Sequence, residues 1–190
     1  HYGGFPVTWK RDTGADYYKV HSPFGQLPLL TGPNDFAVSY DTNSFSLTRQ
    51  LGQSMAIVRY IARKTGLVGD NDEEFARSEM LIEEANDLIL AFGKANASPN
   101  KKEAMDKFFS EEITRHFTSL EKLIKGETLT GKVLAGDLAI FAHLDIILRL
   151  QADALDAYPK LKAFFEKLAA DPKLKPFIDD ETAHMYYTRQ

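Results

Sequence analysis

The residues best placed to do chemistry lie where Gly52 is followed by Gln53 and Ser54. A β-type run ends here, the glycine permits a sharp turn, and the pattern predicts a helix that begins at Gln53-Ser54. The free N–H groups and the positive dipole end of a helix start attract a carboxylate, and the serine hydroxyl and glutamine amide add donors. The alternative is that Ser54 only caps its own helix. This segment alone leaves both interpretations open.

A second segment, Phe24–Leu30, contains Pro28 inside what otherwise reads as a strand. Proline cannot donate to a β-ladder, so we expect an edge strand or a turn, with a candidate cis bond between Leu27 and Pro28. A cis bond would turn the N–H and C=O of Leu27 outward, where a peptide-like ligand pairs with them as an added strand does.

Helical periodicity predicts the elements that position these segments, and it begins at Gln53. The first helix is predicted over 54–65, ended by Gly66, and the second over 71–94, with Asn71 as its N-cap. The apolar stripe of the second helix consists of Phe75, Ser78, Ile82, Ala85, Ile89 and Phe92.

A third helix is predicted over 98–125, with Ser98 as its N-cap and Pro99 at its first position. Its inward face consists of Met105, Phe109, Ile113, His116, Leu120 and Leu123. We interpret His116 on this face as a core histidine with satisfied hydrogen bonds. The segment 137–150 is apolar nearly all round, which predicts a helix in the middle of a bundle. A helix over 159–170 and a short one from Asp171-Pro172 follow.

The first 50 residues are rich in proline, glycine and short β-type runs, and the rest of the chain is helical. We therefore predict an α/β domain over 1–66 and an all-helical domain over 72–190. The link 67–71, which contains Gly69, is the expected boundary.

Composition limits the classes of function. The chain has 190 residues, a net charge of −4 and no cysteine. The absence of a Lys/Arg cluster argues against a nucleic-acid surface, and no apolar run is long enough to span a membrane. No spacing of the His-Glu-x-x-His type is present, so we predict no metal site. The sequence does not distinguish the cytoplasm from the interior of an organelle.

The segment Phe24–Leu30 followed by 53–64 resembles the glutathione site of cytosolic glutathione transferases, and the mu and sigma classes are the most similar. The similarity covers roughly 4–178 and includes 75–87, 136–150 and 155–161. The resemblance implies a thioredoxin-like N-terminal domain followed by a helical bundle of the glutathione transferase type. Glutathione is the implied co-substrate.

The resemblance also implies roles for the matching residues. Leu27 would pair its backbone with the cysteinyl part of glutathione, beside a cis-Pro28. Gln53 and Ser54 would hold the γ-glutamyl carboxylate. Asp87 matches the acidic residue that reaches the γ-glutamyl amine of glutathione in a neighbouring subunit.

Two further roles concern the first domain. Tyr17 or Tyr18, together with Lys19 or His21, matches the aromatic and basic residues near the glycyl carboxylate of glutathione. Phe24 matches the aromatic side chain that inserts into the partner subunit of a homodimer.

Asp137 matches the buried carboxylate that caps the central helix of the family. The chain departs from the family pattern in two places. The first strand and helix of the family are expected to be missing, and Tyr2 lies too close to the next strand to be the catalytic tyrosine. The catalytic residue is therefore unknown. The segment 31–50 contains an insertion of about fifteen residues, and loops of that length are usually functional or disordered.

Two functions remain in competition. The first is an enzyme that binds glutathione and a hydrophobic electrophile and joins the glutathione thiolate to an electrophilic carbon. The alternative is a non-catalytic subunit with the same fold that acts as an interaction or structural module in a larger protein assembly. The intact Gln53-Ser54 segment favours the enzyme, and the insertion and the missing strand favour the module.

Overall fold

The computed structural model describes residues 29–31, 50–124 and 126–179, which form two short strands and a bundle of helices. The elements are β1 (Leu29–Thr31), β2 (Gln50–Gly52), α1 (Ser54–Thr65), α2 (Asp72–Asn96), α3 (Lys101–Lys107), α4 (Ile113–Leu123), α5 (Ala135–Leu150), α6 (Pro159–Ala169) and α7 (Lys175–Ile178). A π-helical turn, Phe108–Glu112, joins α3 to α4. Among these residues no helix is long and apolar enough to cross a membrane.

The first two helices follow the predictions from sequence closely. α1 spans the predicted residues, and Gly66 ends it in the left-handed conformation with φ of 71°. The Asn71 side chain caps α2 by accepting the Glu74 N–H at 3.0 Å. The predicted stripe of α2 is buried along most of its length, but Phe75 is 38% exposed and the buried face includes Leu81 and Leu88 as well.

The predicted third helix is wrong at its start. Ser98 accepts the backbone N–H of Asn100 at 3.2 Å, which closes a turn before the helix instead of capping it. The helix begins at Lys101, so Pro99 lies outside it. The short last helix also begins later than predicted, at Lys175, because a turn precedes it in which Asp171 accepts the Lys173 N–H at 2.8 Å.

The π-helical turn changes which aromatic side chain faces the core just before α4: Phe108 instead of Phe109. A π turn contains one residue more than an α turn, so every later residue is displaced around the axis. The buried series is Phe108, Ile113, Phe117, Leu120 and Ile124. Leu123, predicted to face inward, is 41% exposed, and Phe109 is only half-buried. His116 is buried and both ring nitrogens have partners, as predicted.

α5 occupies the middle of the bundle, as its apolar sequence predicts, and packs along α2. The Asp137 carboxylate in its first turn is fully buried. It accepts the backbone N–H groups of Leu129 at 2.8 Å and Leu134 at 3.1 Å, and the Thr130 hydroxyl. Burial raises the pKa of Asp137, and these hydrogen bonds oppose that effect. Asp137 thus caps α5 and closes the preceding loop, as expected.

α6 is attached to α4 by a carboxylate. Glu121 accepts the N–H groups of Lys160 at 3.0 Å and Leu161 at 2.8 Å, which are free donors at the start of α6. Pro159 occupies the first position of α6, where its missing N–H costs nothing.

Candidate functional site

β1 and β2 bring the two candidate segments together. The strands pair antiparallel, with Leu29 opposite Gly52 and Leu30 opposite Leu51. Leu29 directly follows Pro28, and Gly52 directly precedes Gln53. The described end of the first segment, Leu29 and Leu30, therefore lies beside the residues that precede Gln53, although the two are far apart in sequence.

Gln53 holds the turn between β2 and α1 in an unusual backbone conformation. Its φ of 72° and ψ of 114° lie outside the region that side-chain-bearing residues favour, and it is the one non-glycine residue with positive φ in the described ranges. Such a conformation costs on the order of 1–3 kcal/mol and is found most often at functional sites. The sequence gives no sign of this strain, since glutamine has no preference for positive φ.

The start of α1 is open to solvent. Gln53 and Ser54 are both exposed, and Gln53, which occupies the N-cap position, gives no side-chain capping bond. Ser54 is the first helical residue, and its hydroxyl makes no hydrogen bond to another described residue. The interpretation of Ser54 as a simple cap is therefore wrong. Within the described ranges no side chain caps the first N–H groups of α1, which are the groups that an anionic acceptor would approach.

α1 is joined to α2 by an ion pair. The Arg59 guanidinium contacts the Glu79 carboxylate at 2.7 Å and also the Glu83 carboxylate. These two hydrogen bonds, the one to Glu83 first, raise the pKa of Arg59. Arg59 therefore attaches the helix that carries Ser54 to the helix that carries Asp87.

A small apolar cluster supports the same junction from the inside. Ala62, Ile82 and Ala135 are buried together, one each from α1, α2 and α5. Partly buried side chains surround them, namely Met55, Val58, Leu67, Val68 and Ala139. The cluster is separate from the main core.

The link between α1 and α2 is held by hydrogen bonds at both ends. The Leu67 N–H donates to Ala62 at 2.9 Å, and the Leu67 carbonyl accepts the Ala135 N–H at 2.9 Å. Lys132 contacts Asp70 and Glu74, each at 2.6 Å. Both the link and the start of α5 therefore fix the orientation of α1.

Asp87 is exposed on α2. It belongs to the exposed face of α2 together with Met80, Glu83, Leu90 and Lys94, and Leu90 is 62% exposed. In the described part of the chain Asp87 makes no hydrogen bond to Ser54. The other predicted contact residues, Tyr18, Lys19, Leu27 and Pro28, and the predicted dimer residue Phe24, lie outside the described residues.

A cleft of about 300 Å³ opens beside this face, between α2 and α4. Its walls are Arg77, Met80 and Leu81 from α2 and Leu123 from the end of α4, and 126–131 closes it. The sequence did not indicate this cleft, because Leu123 was expected in the core. No group of three or more His, Asp or Glu side chains in the described ranges is arranged to hold a metal ion.

Comparison with known proteins identifies the family. A sequence profile for the glutathione S-transferase C-terminal domain matches residues 86–181. Glutathione S-transferase 2 of Onchocerca volvulus is 30% identical over 171 residues, which cover 87% of this chain and 75% of that protein. The chain belongs to the glutathione S-transferase family. Glutathione S-transferase P 1 of Xenopus laevis is 29% identical over 189 residues, covering 92% of this chain and 82% of that protein.

A solved structure supports the same assignment for the fold. Prostaglandin synthase D of Nilaparvata lugens has a TM-score of 0.78 with this chain, at 26% identity, over 94% of this chain and 87% of that one. The helical bundle described above is therefore the C-terminal domain of a glutathione S-transferase, and the expectation for the fold is confirmed.

Proposed function

We propose that this protein is a glutathione transferase-like enzyme that binds glutathione at the start of α1 and conjugates its thiolate to electrophilic small molecules. The observation that carries the proposal is the open, strained start of α1 beside the β1–β2 pair. Leu29 opposite Gly52 joins the Leu27-Pro28 segment to Gln53-Ser54, the two segments on which the family resemblance rests.

Each part of glutathione has a recognition group in this proposal. The γ-glutamyl carboxylate accepts the first N–H groups of α1 and the Ser54 hydroxyl, and the helix dipole favours its negative charge. The Gln53 amide donates a further hydrogen bond. The Leu27 backbone, beside Pro28, pairs with the cysteinyl part as an added strand does.

The remaining contacts concern the two ends of the tripeptide. Lys19 and Tyr18 are proposed for the glycyl carboxylate, which suits a cation and a phenol donor. The chemical step is attack by the sulfur on an electrophilic carbon, in which an S–C bond forms and the leaving group departs with its electron pair. The group that stabilises the thiolate is not assigned to any residue.

A homodimer completes the site in this proposal. Phe24 of one subunit enters the cleft between α2 and α4 of the other, where Met80, Leu81 and Leu123 offer an apolar surface. Exposed apolar side chains around a cleft commonly mark a contact surface. Asp87, on the adjacent exposed face, then reaches the γ-glutamyl amine of the partner's glutathione as a counter-charge.

Retention on immobilised glutathione tests the binding site. We expect the wild type to be retained and to elute with free glutathione, and the double variant Gln53→Ala, Ser54→Ala to pass through. Ser110→Ala is the matched control, because it removes an exposed hydroxyl from another helical segment. Retention of the double variant would show that the pocket lies elsewhere.

Sedimentation tests the dimer separately. We expect Leu123→Lys to give monomers, because it places a charge in the apolar cleft, and Asp87→Ala to remain dimeric but bind glutathione more weakly. A dimeric Leu123→Lys variant would exclude the cleft as the subunit contact.

A further inference from the structure

α2 and α4 pack as an antiparallel pair, and their contacts can be followed in layers from the cleft inward. At the cleft, Arg77 of α2 faces Leu123 of α4. One turn further, Leu81 and Leu120 are both buried. One turn beyond that, Glu84 meets His116. The residues of each helix recur at three- and four-residue spacing, so each series lies along one flank.

The Glu84–His116 contact is a partly buried hydrogen bond with a defined direction. His116 is 1% exposed, and its Nδ1 lies 2.6 Å from Glu84 Oε1. Its Nε2 lies 2.8 Å from a guanidinium nitrogen of Arg115, which can only donate. Nε2 is therefore the acceptor and Nδ1 carries the proton that Glu84 accepts.

The position of this contact matters because the π-helical turn ends immediately before α4. Phe108–Glu112 adds one residue to the turn. If this segment were a regular α-helix instead, every later side chain of α4 would be rotated by about 100° around the helix axis. A rotation of this size would remove His116 from Glu84, and it would also turn Ile113, Phe117 and Leu120 out of the core. The hydrogen bond and the apolar packing therefore favour the same register.

We propose that the Glu84–His116 pair, together with the apolar core of α4, holds the register of α4 against α2, shapes the cleft that receives Phe24, and so controls subunit association. This inference rests on the proposed homodimer. Glu84 and His116 are positioning residues, because in this proposal they act through Met80, Leu81 and Leu123. Buried polar pairs are known to specify helix register in other proteins.

The dimer dissociation constant, measured by analytical ultracentrifugation on the full chain, tests the inference. We expect Glu84→Ala to raise this constant about tenfold, within the range by which remote substitutions change coupling between sites. Glu84→Gln keeps an acceptor for Nδ1–H and should restore most of the affinity.

Glu121→Ala is the matched control, because it also removes a structural carboxylate near α4 but one that caps α6. It should lower stability without changing the dissociation constant. Equal weakening of the dimer by Glu84→Ala and Glu121→Ala would mean that the Glu84–His116 pair stabilises the fold only, and would overturn the proposal.

A distance measurement across the cleft tests the same inference without a dimer. The chain contains no cysteine, so Met80→Cys and Leu123→Cys give two sites for spin labels with no background. We expect the inter-label distance distribution to broaden or shift when Glu84→Ala is added, and to stay unchanged with Glu84→Gln or Glu121→Ala.

The outcomes separate this inference from the proposed homodimer. A wild type that is monomeric at every concentration refutes the homodimer and this inference with it. A dimeric wild type, with the same dissociation constant and the same label distances in Glu84→Ala, leaves the homodimer intact and refutes the role of the Glu84–His116 pair.

Discussion

Gly136 marks a close approach of α5 to α2, and its replacement by alanine tests that packing directly. Its N–H donates to the Ser78 hydroxyl at 3.0 Å. A β-carbon on residue 136 would lie 2.5 Å from the Ser78 carbonyl oxygen and 2.8 Å from Leu81 Cβ. Helix propensity alone favours alanine over glycine by about 0.5–1 kcal/mol. The structure predicts instead that Gly136→Ala lowers the free energy of unfolding.

The magnitude follows from what the added carbon meets. Both distances are far below the 3.4 Å at which ordinary van der Waals contact begins, and neither neighbour is the end of a flexible side chain. The two helices must therefore move apart, and overpacking of this kind costs about 1–3 kcal/mol. Loss of the buried hydrogen bond to Ser78 adds about 1–3 kcal/mol. After subtraction of the propensity term, we expect Gly136→Ala to lower the free energy of unfolding by about 1–5 kcal/mol.

Urea denaturation followed by circular dichroism measures this change, and Gly93→Ala is the control. Gly93 lies in α2, is exposed, and an added β-carbon meets nothing within 4 Å. We expect Gly93→Ala to raise the free energy of unfolding by about 0.5–1 kcal/mol. If both glycine variants shift in the same direction, or if Gly136→Ala is as stable as the wild type, the reasoning about this contact is refuted.

Three other predictions concern single side chains. Asp137→Ala leaves three donors without their acceptor, each at a cost of about 1–3 kcal/mol, and should therefore lower the free energy of unfolding by several kcal/mol. Asp137→Asn should lower it by less because it keeps an acceptor, and a loss below about 1 kcal/mol in both variants would contradict the buried cap. Burial lowers the pKa of His143, so the unfolded chain takes up a proton before the folded chain does, and stability should fall as the pH drops below about 6.5. His143→Gln should reduce this dependence of the free energy of unfolding on pH, measured by denaturation at several pH values. An unchanged dependence would contradict the role of His143. Gln53→Gly should raise the free energy of unfolding by about 1 kcal/mol through relief of positive φ and weaken retention on glutathione; an unchanged stability would mean that residue 53 holds no strain.

Local signals in the sequence were sufficient for α1 and for the start of α2. Periodic apolar residues, a glycine at the C-terminal end and an asparagine cap act within one or two turns, so a reader of the sequence can recognise them. Gly66 and Asn71 ended and started their helices as predicted. The assignment of the bundle to the glutathione S-transferase family was also available from the sequence, because it depends on the order of short motifs.

The π-helical turn was not available from local signals. Phe109 fits the α-helical stripe of Met105 and Ile113, whereas Phe108 lies five residues before Ile113 and shares its face only through a π turn. The choice depends on tertiary contacts, including the edge-on packing of Phe108 against Phe92, with ring centroids 5.7 Å apart. Beyond this turn, Ile113, His116 and Leu120 are buried as predicted, whereas Leu123, the last residue of α4, is exposed and forms a wall of the cleft. The cleft was missed because Leu123 was placed on the inward face.

The candidate site was likewise predictable from the sequence only in part. The types of Gln53 and Ser54 and the preceding glycine identified a helix start suited to an anion. The positive φ of Gln53 depends on how β2 is placed against α1, and a sequence pattern does not encode that placement. The contact residues Tyr18, Lys19, Leu27, Pro28 and Asp87 stay predictions.

The hydrogen bond from Ala135 to the Leu67 carbonyl has a consequence for cooperativity. α1 cannot detach from the bundle without freeing the N–H at the first turn of α5, so the amides of both elements should exchange with deuterium through one shared opening. A ligand held at Ser54 binds only when that opening is closed, and by mass action it raises the stability of everything that opens with α1. Occupancy of the site should therefore slow amide exchange in the first turn of α5, a helix that the ligand does not touch.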